Sequence, residues 1–420
     1  MGILYPNLIV LSRYAIISAL KIKIMFDKHK RLDQDIKIIK YKGIFRRELS
    51  VFQAVALIVS GTIGAGVLSI PYAVSKVGLR IGILYIVLLG SLMMGLNLLI
   101  GYVTTRTEKD FQIVGLAKKY LGRVGEVLMA GIVYFMLTGA LLVYFIGEGE
   151  VLAALFGGSE MMWRLIFLAV AGLFIIIGMR GIKTAEFVMS LAILGVILVI
   201  AFLASPYIEM QNTGYINLAN FLLPYGVILF AFHGATSIPE SHMLLKGRDG
   251  GFKRAIIIAG LISIAAYVLF AWVVVGVSGT ETTEIATLGL GQKVGEIMYI
   301  FGNVFAVIAM GSSFLMIGMS LKDSFVWDYK MPSWLANGLV LGLPPAIFFL
   351  GLKKFIGVID IVGGVFISLE MIILILIYWR AKQVGDLPEG KYKLHHTLLL
   401  AVVLLFVFIG GAIYSVVKLF

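Results

Sequence analysis

Apolar runs of about 20 residues, enough to cross roughly 30 Å of hydrocarbon, recur along the chain between charge clusters and Gly/Pro breaks. Eleven of them fall at 51–77, 81–104, 124–147, 162–180, 185–205, 222–245, 253–277, 294–321, 332–351, 355–379 and 396–418. Each predicts a spanning helix, because the edge of an open strand finds no hydrogen-bond partner in lipid. The pattern is that of an all-α integral membrane protein.

Two of these runs lose their regularity halfway across. In the first, Ser60-Gly61-Thr62-Ile63-Gly64-Ala65-Gly66 leads to Pro71; in the sixth, Phe232-His233-Gly234-Ala235-Thr236-Ser237-Ile238 leads to Pro239-Glu240. Glycine weakens a helix and proline removes a donor, so both helices are expected to be discontinuous. Each break opens a group of five spans. An odd number per group makes the second copy enter from the opposite face, giving a 5+5 inverted repeat with one appended helix. Paired interruptions at matching positions are the sequence signature of a secondary transporter's binding site.

Polarity indicates the ligand. The outer half of span 1 begins at the break, so the amides of Gly64, Ala65 and Gly66 and a positive dipole end face the midplane, which suits a carboxylate. The inner half of span 1 and the outer half of span 6 end there, presenting carbonyls near Ser60–Thr62 and Ala231–His233 that suit an ammonium group or a sodium ion. A carboxylate beside an ammonium is an amino acid.

Charge sets the orientation. With the spans alternating, all but seven of the 35 Lys and Arg lie on the side of the N-terminus; the seven are Lys76, Arg80, Arg164, Lys293, Lys353, Lys354 and Lys418. The positive-inside rule then puts the N-terminus in the cytoplasm and the C-terminus outside the cell membrane. Residues 1–47 stand apart, their apolar stretch being interrupted by Arg13 and closed by Lys21 and Lys23. They read as a cytoplasmic segment, either a peripheral amphipathic helix or an over-called start with initiation at Met25. Residues 48–380 form the ten-helix core, and 381–420 a cytoplasmic loop and the eleventh helix.

Composition narrows the chemistry. At 60% hydrophobic and 14% charged, this is no soluble fold, and the net charge of +12 reads as loops facing anionic lipid, not as a nucleic-acid surface. With no cysteine and five scattered histidines (His29, His233, His242, His395, His396), disulfides and zinc sites are excluded. There is no Walker motif and no catalytic trio, so the chain reads as neither an ATP-driven pump nor an enzyme. No cofactor is expected beyond a coupling ion.

At Gly61-Thr62-Ile63-Gly64-Ala65-Gly66-Val67-Leu68-Ser69-Ile70-Pro71-Tyr72-Ala73, Phe230-Ala231-Phe232-His233-Gly234, Ile238-Pro239-Glu240, Ser312-Ser313-Phe314-Leu315 and Leu343-Pro344-Pro345, the chain resembles the amino acid/auxin permease family. Within it, the likeness is to hydroxy- and aromatic-amino-acid permeases of the amino acid-polyamine-organocation superfamily, which share the leucine-transporter type of fold. The resemblance implies that Thr62, Ile63, Gly64, Ala65, Gly66, Phe232, His233, Gly234, Ala235 and Thr236 hold the substrate backbone, and that Tyr134 reaches its carboxylate. A sodium site, where a family member has one, would use Ser60, Ile63, Ser312 and Ser313. The lysine that proton-coupled relatives carry in span 5 is missing, since Lys183 lies at the start of that span. Sodium and proton coupling both stay open, as do monomer and homodimer. A membrane receptor subunit that senses an amino acid, like those of germinant receptors, and a gradient-independent exchanger are the rival readings.

Ionisable groups inside spans need a reason. Glu240 either carries a coupling proton or ties the second break to its surroundings. His233 either serves proton coupling or donates to a backbone carbonyl. Asp360 either belongs to an external gate or pairs with Lys353 or Lys354. Glu370 has no evident partner, and Glu148 and Glu150 read as a solvated helix end or a vestibule charge.

Overall fold

The computed structural model describes residues 50–178, 182–245, 249–327, 329–388, 392, 394 and 397–418. The N-terminal segment 1–47, with His29, and the pair His395 and His396 lie outside the described residues. Among the described residues the regular structure is entirely helical. Seven helices are long and apolar enough to cross a membrane, and an eighth span arises from a pair bent by 50°.

That bent pair is α1 (Ser50–Thr62) and α2 (Ile70–Val77), joined by a 3-10 turn over Ala65–Ser69. The long spans are α3 (Leu79–Thr105), α4 (Ile113–Phe156), α5 (Glu160–Ile177), then, after α6 (Ile182–Ala204), the broken α7 (Pro224–Phe232) and α8 (Ser237–Leu244), and α9 (Asp249–Ser278). After α10 (Ala286–Val294) come α11 (Glu296–Trp327), the shorter α12 (Ser333–Phe349), α13 (Phe355–Ile361) continuing through a π-helical turn (Val362–Ile367) into α14 (Ser368–Val384), and α15 (Thr397–Val417).

The interruptions fall at the glycine-containing stretches, ahead of both prolines. The last helical bond of the first span is Ile63 N–H to the Val59 carbonyl, 2.7 Å, after which Gly64 is extended (φ −122°, ψ −158°). Pro71 follows in the first turn of α2, where its missing N–H costs nothing. Likewise His233 leaves the helix (φ −69°, ψ 114°), and Pro239 lies within α8.

The third span is longer than 124–147. Its helix starts at Ile113, turns at Gly122, whose φ of 73° suits glycine, and runs on to Phe156. The short helix α10 between spans 7 and 8 has no counterpart in the apolar pattern, because it lies in a loop and its hydrophobic residues are too few for a span. At the Arg106 end of the array, Asp386 pairs with Lys119 and accepts from the Glu108 amide at 3.1 Å, while Arg106 donates to the Leu387 carbonyl. The Lys119 ammonium, helped by that amide, holds the Asp386 carboxyl below its ordinary range.

Candidate functional site

The two interruptions face each other at backbone contact. A Cβ on Gly61 would stand 2.5 Å from Ser237 Cβ, and one on Gly234 would collide with Thr62 Oγ1. A Cβ on Gly66 would meet Ala231 Cα at 3.0 Å. Small residues here let two main chains approach as closely as atoms allow. On the third side, a Cβ on Gly64 would lie 3.7 Å from Ser313 Oγ of α11. Tyr144 of α4 meets the same Ser313 hydroxyl.

Between the breaks, the polar groups divide into bonded and open sets. Thr62 Oγ1 donates to the Ile58 carbonyl at 2.8 Å, and Ser237 Oγ to the Gly234 carbonyl at 2.6 Å. The amides of Ala65 and Gly66 begin the 3-10 turn, where no preceding helical carbonyl is in register to receive them. Val67 N–H closes the turn on the Gly64 carbonyl at 3.2 Å. Ile63 and Ala235 are fully buried, Phe232 nearly so, and Thr236 is exposed.

Tyr267 of α9 joins the two breaks. Its hydroxyl lies 3.1 Å from the Thr62 carbonyl and 2.7 Å from the Ala231 carbonyl, as donor to both, and its ring packs edge-on against Phe232 at 4.7 Å. Two of the carbonyls expected to serve a cation are thus already bridged by one phenol. Nothing in the sequence around Tyr267 marked it, since a tyrosine in an apolar helix reads as packing.

Three expected positions lie elsewhere. Tyr134 hydrogen bonds to Ser324 at 2.6 Å and packs on Phe325 and Tyr329, about ten residues of helix, roughly 15 Å, from the level of Tyr144. Glu240 accepts from Gln112 Nε2 at 3.0 Å, which ties α8 to the residue preceding α4. Asp360 pairs with Lys418 at 2.6 Å, not with Lys353 or Lys354, because α15 brings its end against α13. That bridge borders a cavity of about 540 Å³ whose lining includes Tyr72, Leu223, Lys353 and Lys354.

Glu370 acquires a partner: its Oε2 lies 2.8 Å from His233 Nε2, with the carboxyl wholly buried. His233 therefore meets a carboxyl group, and of its two expected roles the bond to a backbone carbonyl is not the one seen. Ser60 Oγ and Ser312 Oγ donate to the Leu57 and Ala309 carbonyls of their own helices, at 2.9 and 3.1 Å. Glu148 is not a solvated helix end, since the helix continues two turns beyond it and buries it completely.

Residues 47–415 match the tryptophan/tyrosine permease family. Similar proteins include tyrosine-specific transport systems 1 and 2 of Haemophilus influenzae, 26% and 29% identical, each match covering 83–84% of this chain and 93–94% of the relative. Glutamine transporter 2 of Aliivibrio fischeri is 23% identical over 83% of the chain and 97% of its own length. Among solved structures, MhsT in complex with L-phenylalanine superposes with a TM-score of 0.63 at 16% identity, covering 89% of this chain and 98% of its own. The manganese transporter of Eremococcus coleocola gives 0.59 at 14% identity, covering 87% of each chain. These likenesses assign the leucine-transporter type of fold.

Proposed function

Since this chain belongs to the tryptophan/tyrosine permease family, and is a multi-pass membrane protein and not an enzyme, we propose that it is an ion-coupled secondary transporter of an amino acid, working by alternating access. The observation that carries this reading is the meeting of two interrupted helices, with the Ala65 and Gly66 amides beside the chain ends at Thr62 and Phe232. Opened amides favour a carboxylate, and helix-terminal carbonyls an ammonium. We take the substrate to be aromatic, tyrosine first, because two relatives are tyrosine-specific transport systems.

The architecture proposed is eleven spans, arranged as a 5+5 inverted repeat with α15 appended. It is supported by helices in each of the eleven apolar runs and by interruptions opening both groups of five. The moving bundle would comprise spans 1, 2, 6 and 7, a grouping favoured by the Tyr267 bridge from α9 to α1 and α7. The Lys and Arg bias favours a cytoplasmic N-terminus, which makes the cavity beside Asp360 and Lys418 the outer vestibule and their ion pair part of its wall. A sodium ion would be held by oxygens of Ser60, Ile63, Ser312 and Ser313. That donor set suits a hard cation, since hydroxyl and carbonyl oxygens are hard donors, and a hydroxyl can accept while it donates to its own helix.

The test is uptake of radiolabelled tyrosine, and of the other amino acids in turn, into proteoliposomes under imposed sodium and proton gradients. Saturable accumulation or exchange is expected. A folded protein that moves none of the twenty under any gradient would refute the reading.

A further inference from the structure

Glu148 stands out among the ionisable groups inside the spans. Glu370 offers one oxygen to His233 and Asp360 one to Lys418. Neither oxygen of Glu148 meets a side-chain donor, the Gly311 backbone being its one hydrogen-bonding neighbour, and the residue is 0% exposed. Its Oε1 lies 3.1 Å from where a Cβ on Gly311 would stand, so α11 could not carry a larger residue there without displacing the carboxyl. An ionised carboxylate with no countercharge and no side-chain donor is far more costly to bury than the neutral acid.

Its surroundings connect it to the substrate layer. Tyr144 lies one turn away on the same face of α4 and meets Ser313, the residue that faces Gly64 in the first break. Gly311, against which the carboxyl rests, directly precedes Ser312 and Ser313 on α11. The charged neighbours are engaged with one another: Arg164 of α5 reaches Glu160 at 2.5 Å and Glu150 at 3.9 Å. Glu284 accepts from the Ile356 amide at 3.0 Å. Along α4, Glu150 stands two residues away and Tyr144 one turn away, and Phe167 of α5 closes the apolar side at Gly311.

We propose that Glu148 is the proton-binding site of this transporter, loaded while α4 and α11 are packed as seen here and discharged when their separation admits water to the carboxyl. The step is a simple dissociation: the carboxyl O–H bond breaks, the electron pair stays on oxygen, and the proton passes to water on the side then open. Burial at the α4–α11 contact makes the charged form compatible only with an opened contact. Loss of the proton is thereby linked to rearrangement beside the substrate layer. This inference rests on the transporter reading above.

Glu148→Gln, which matches the neutral acid in size, separates the two. In wild-type proteoliposomes, a pH gradient of one unit at clamped potential should drive tyrosine accumulation of about tenfold for one proton per substrate. The Gln variant should keep measurable tyrosine exchange yet bring internal tyrosine no higher than external. Infrared spectra should show a protonated carboxylic acid in the wild type that is missing from the variant. Accumulation by the variant equal to wild type would overturn the proposal, as would sodium-driven uptake indifferent to the pH gradient. So would a folded variant that has lost exchange together with accumulation, which would make Glu148 a packing group. Wild-type protein that neither exchanges nor accumulates any amino acid would instead defeat the transporter reading itself, and this proposal with it.

Discussion

Replacing Tyr267 by phenylalanine removes one oxygen and leaves the ring against Phe232 in place, so the change isolates the hydroxyl. That hydroxyl has a single proton for two carbonyls, Thr62 at 3.1 Å and Ala231 at 2.7 Å, and both, on buried residues, lose their shared donor. A buried acceptor left unbonded costs about 1–3 kcal/mol. If the bridge holds the two breaks in the arrangement that accepts substrate, that cost appears as a loss of up to roughly 5- to 150-fold in tyrosine affinity. Tyr392→Phe is the matched control. It deletes the same atom from another buried tyrosine, bonded at 3.1 Å to the Leu98 carbonyl and away from both breaks. Scintillation proximity binding of labelled tyrosine and thermal unfolding in detergent read the two effects separately. Both variants should lower the unfolding midpoint, and only Tyr267→Phe should weaken binding. Equal affinities in the two variants would refute the reasoning.

Gly61→Ala should destabilise by about 1–3 kcal/mol through overpacking against Ser237, whereas Gly64→Leu, whose Cβ has room and whose backbone is extended, should leave the unfolding midpoint intact and abolish tyrosine binding; binding that survives Gly64→Leu would misplace the site. Because the folded-state pKa of Asp386 is depressed, the stability it lends is fully present above the ordinary carboxylate range and is lost as pH falls below it. Wild type and Asp386→Asn should therefore differ in thermal midpoint near neutral pH and converge in acid, and a pH-independent difference would contradict this. The chain has no cysteine, so single cysteines at Lys418 and Asp386 can be probed with impermeant maleimide in intact cells; labelling should occur at 418 and not at 386, and the reverse would invert the proposed orientation.

The positions of the breaks were legible because glycine, proline and membrane depth act locally: Gly64 and Gly234 mark the departures from helix wherever their neighbours pack. The spans were legible for the same reason, their length being fixed by the bilayer. Pairings between helices were not. Lys418 and Asp360, or Glu370 and His233, meet only because of how helices tilt against one another, which no run of apolar residues encodes. Glu148 was misjudged because the apolar run ends at Gly147 while the helix does not. Glu148 lies beyond the hydrophobic signal yet beneath the cover of α11, and a polar residue at the end of such a run looks the same in sequence whether water or protein lies beyond it. Tyr134 and Tyr144 illustrate the same limit, since two tyrosines on one helix meet different neighbours, Ser324 and Ser313, through depth alone.

The π-helical turn at Val362–Ile367 sets the phase of the second half of its span. Each residue of helix advances the side chains by about 100°, so excising any one residue from this turn would rotate everything after it as a rigid screw, with no change of composition. Glu370 would then swing off the His233 imidazole, and the loop beyond Val384 would leave Arg106 and Lys119 from a new angle. Residue count between positions 362 and 367 is thus an alignment setting for two distant contacts, and insertions or deletions there should be tolerated far less well than changes of side chain.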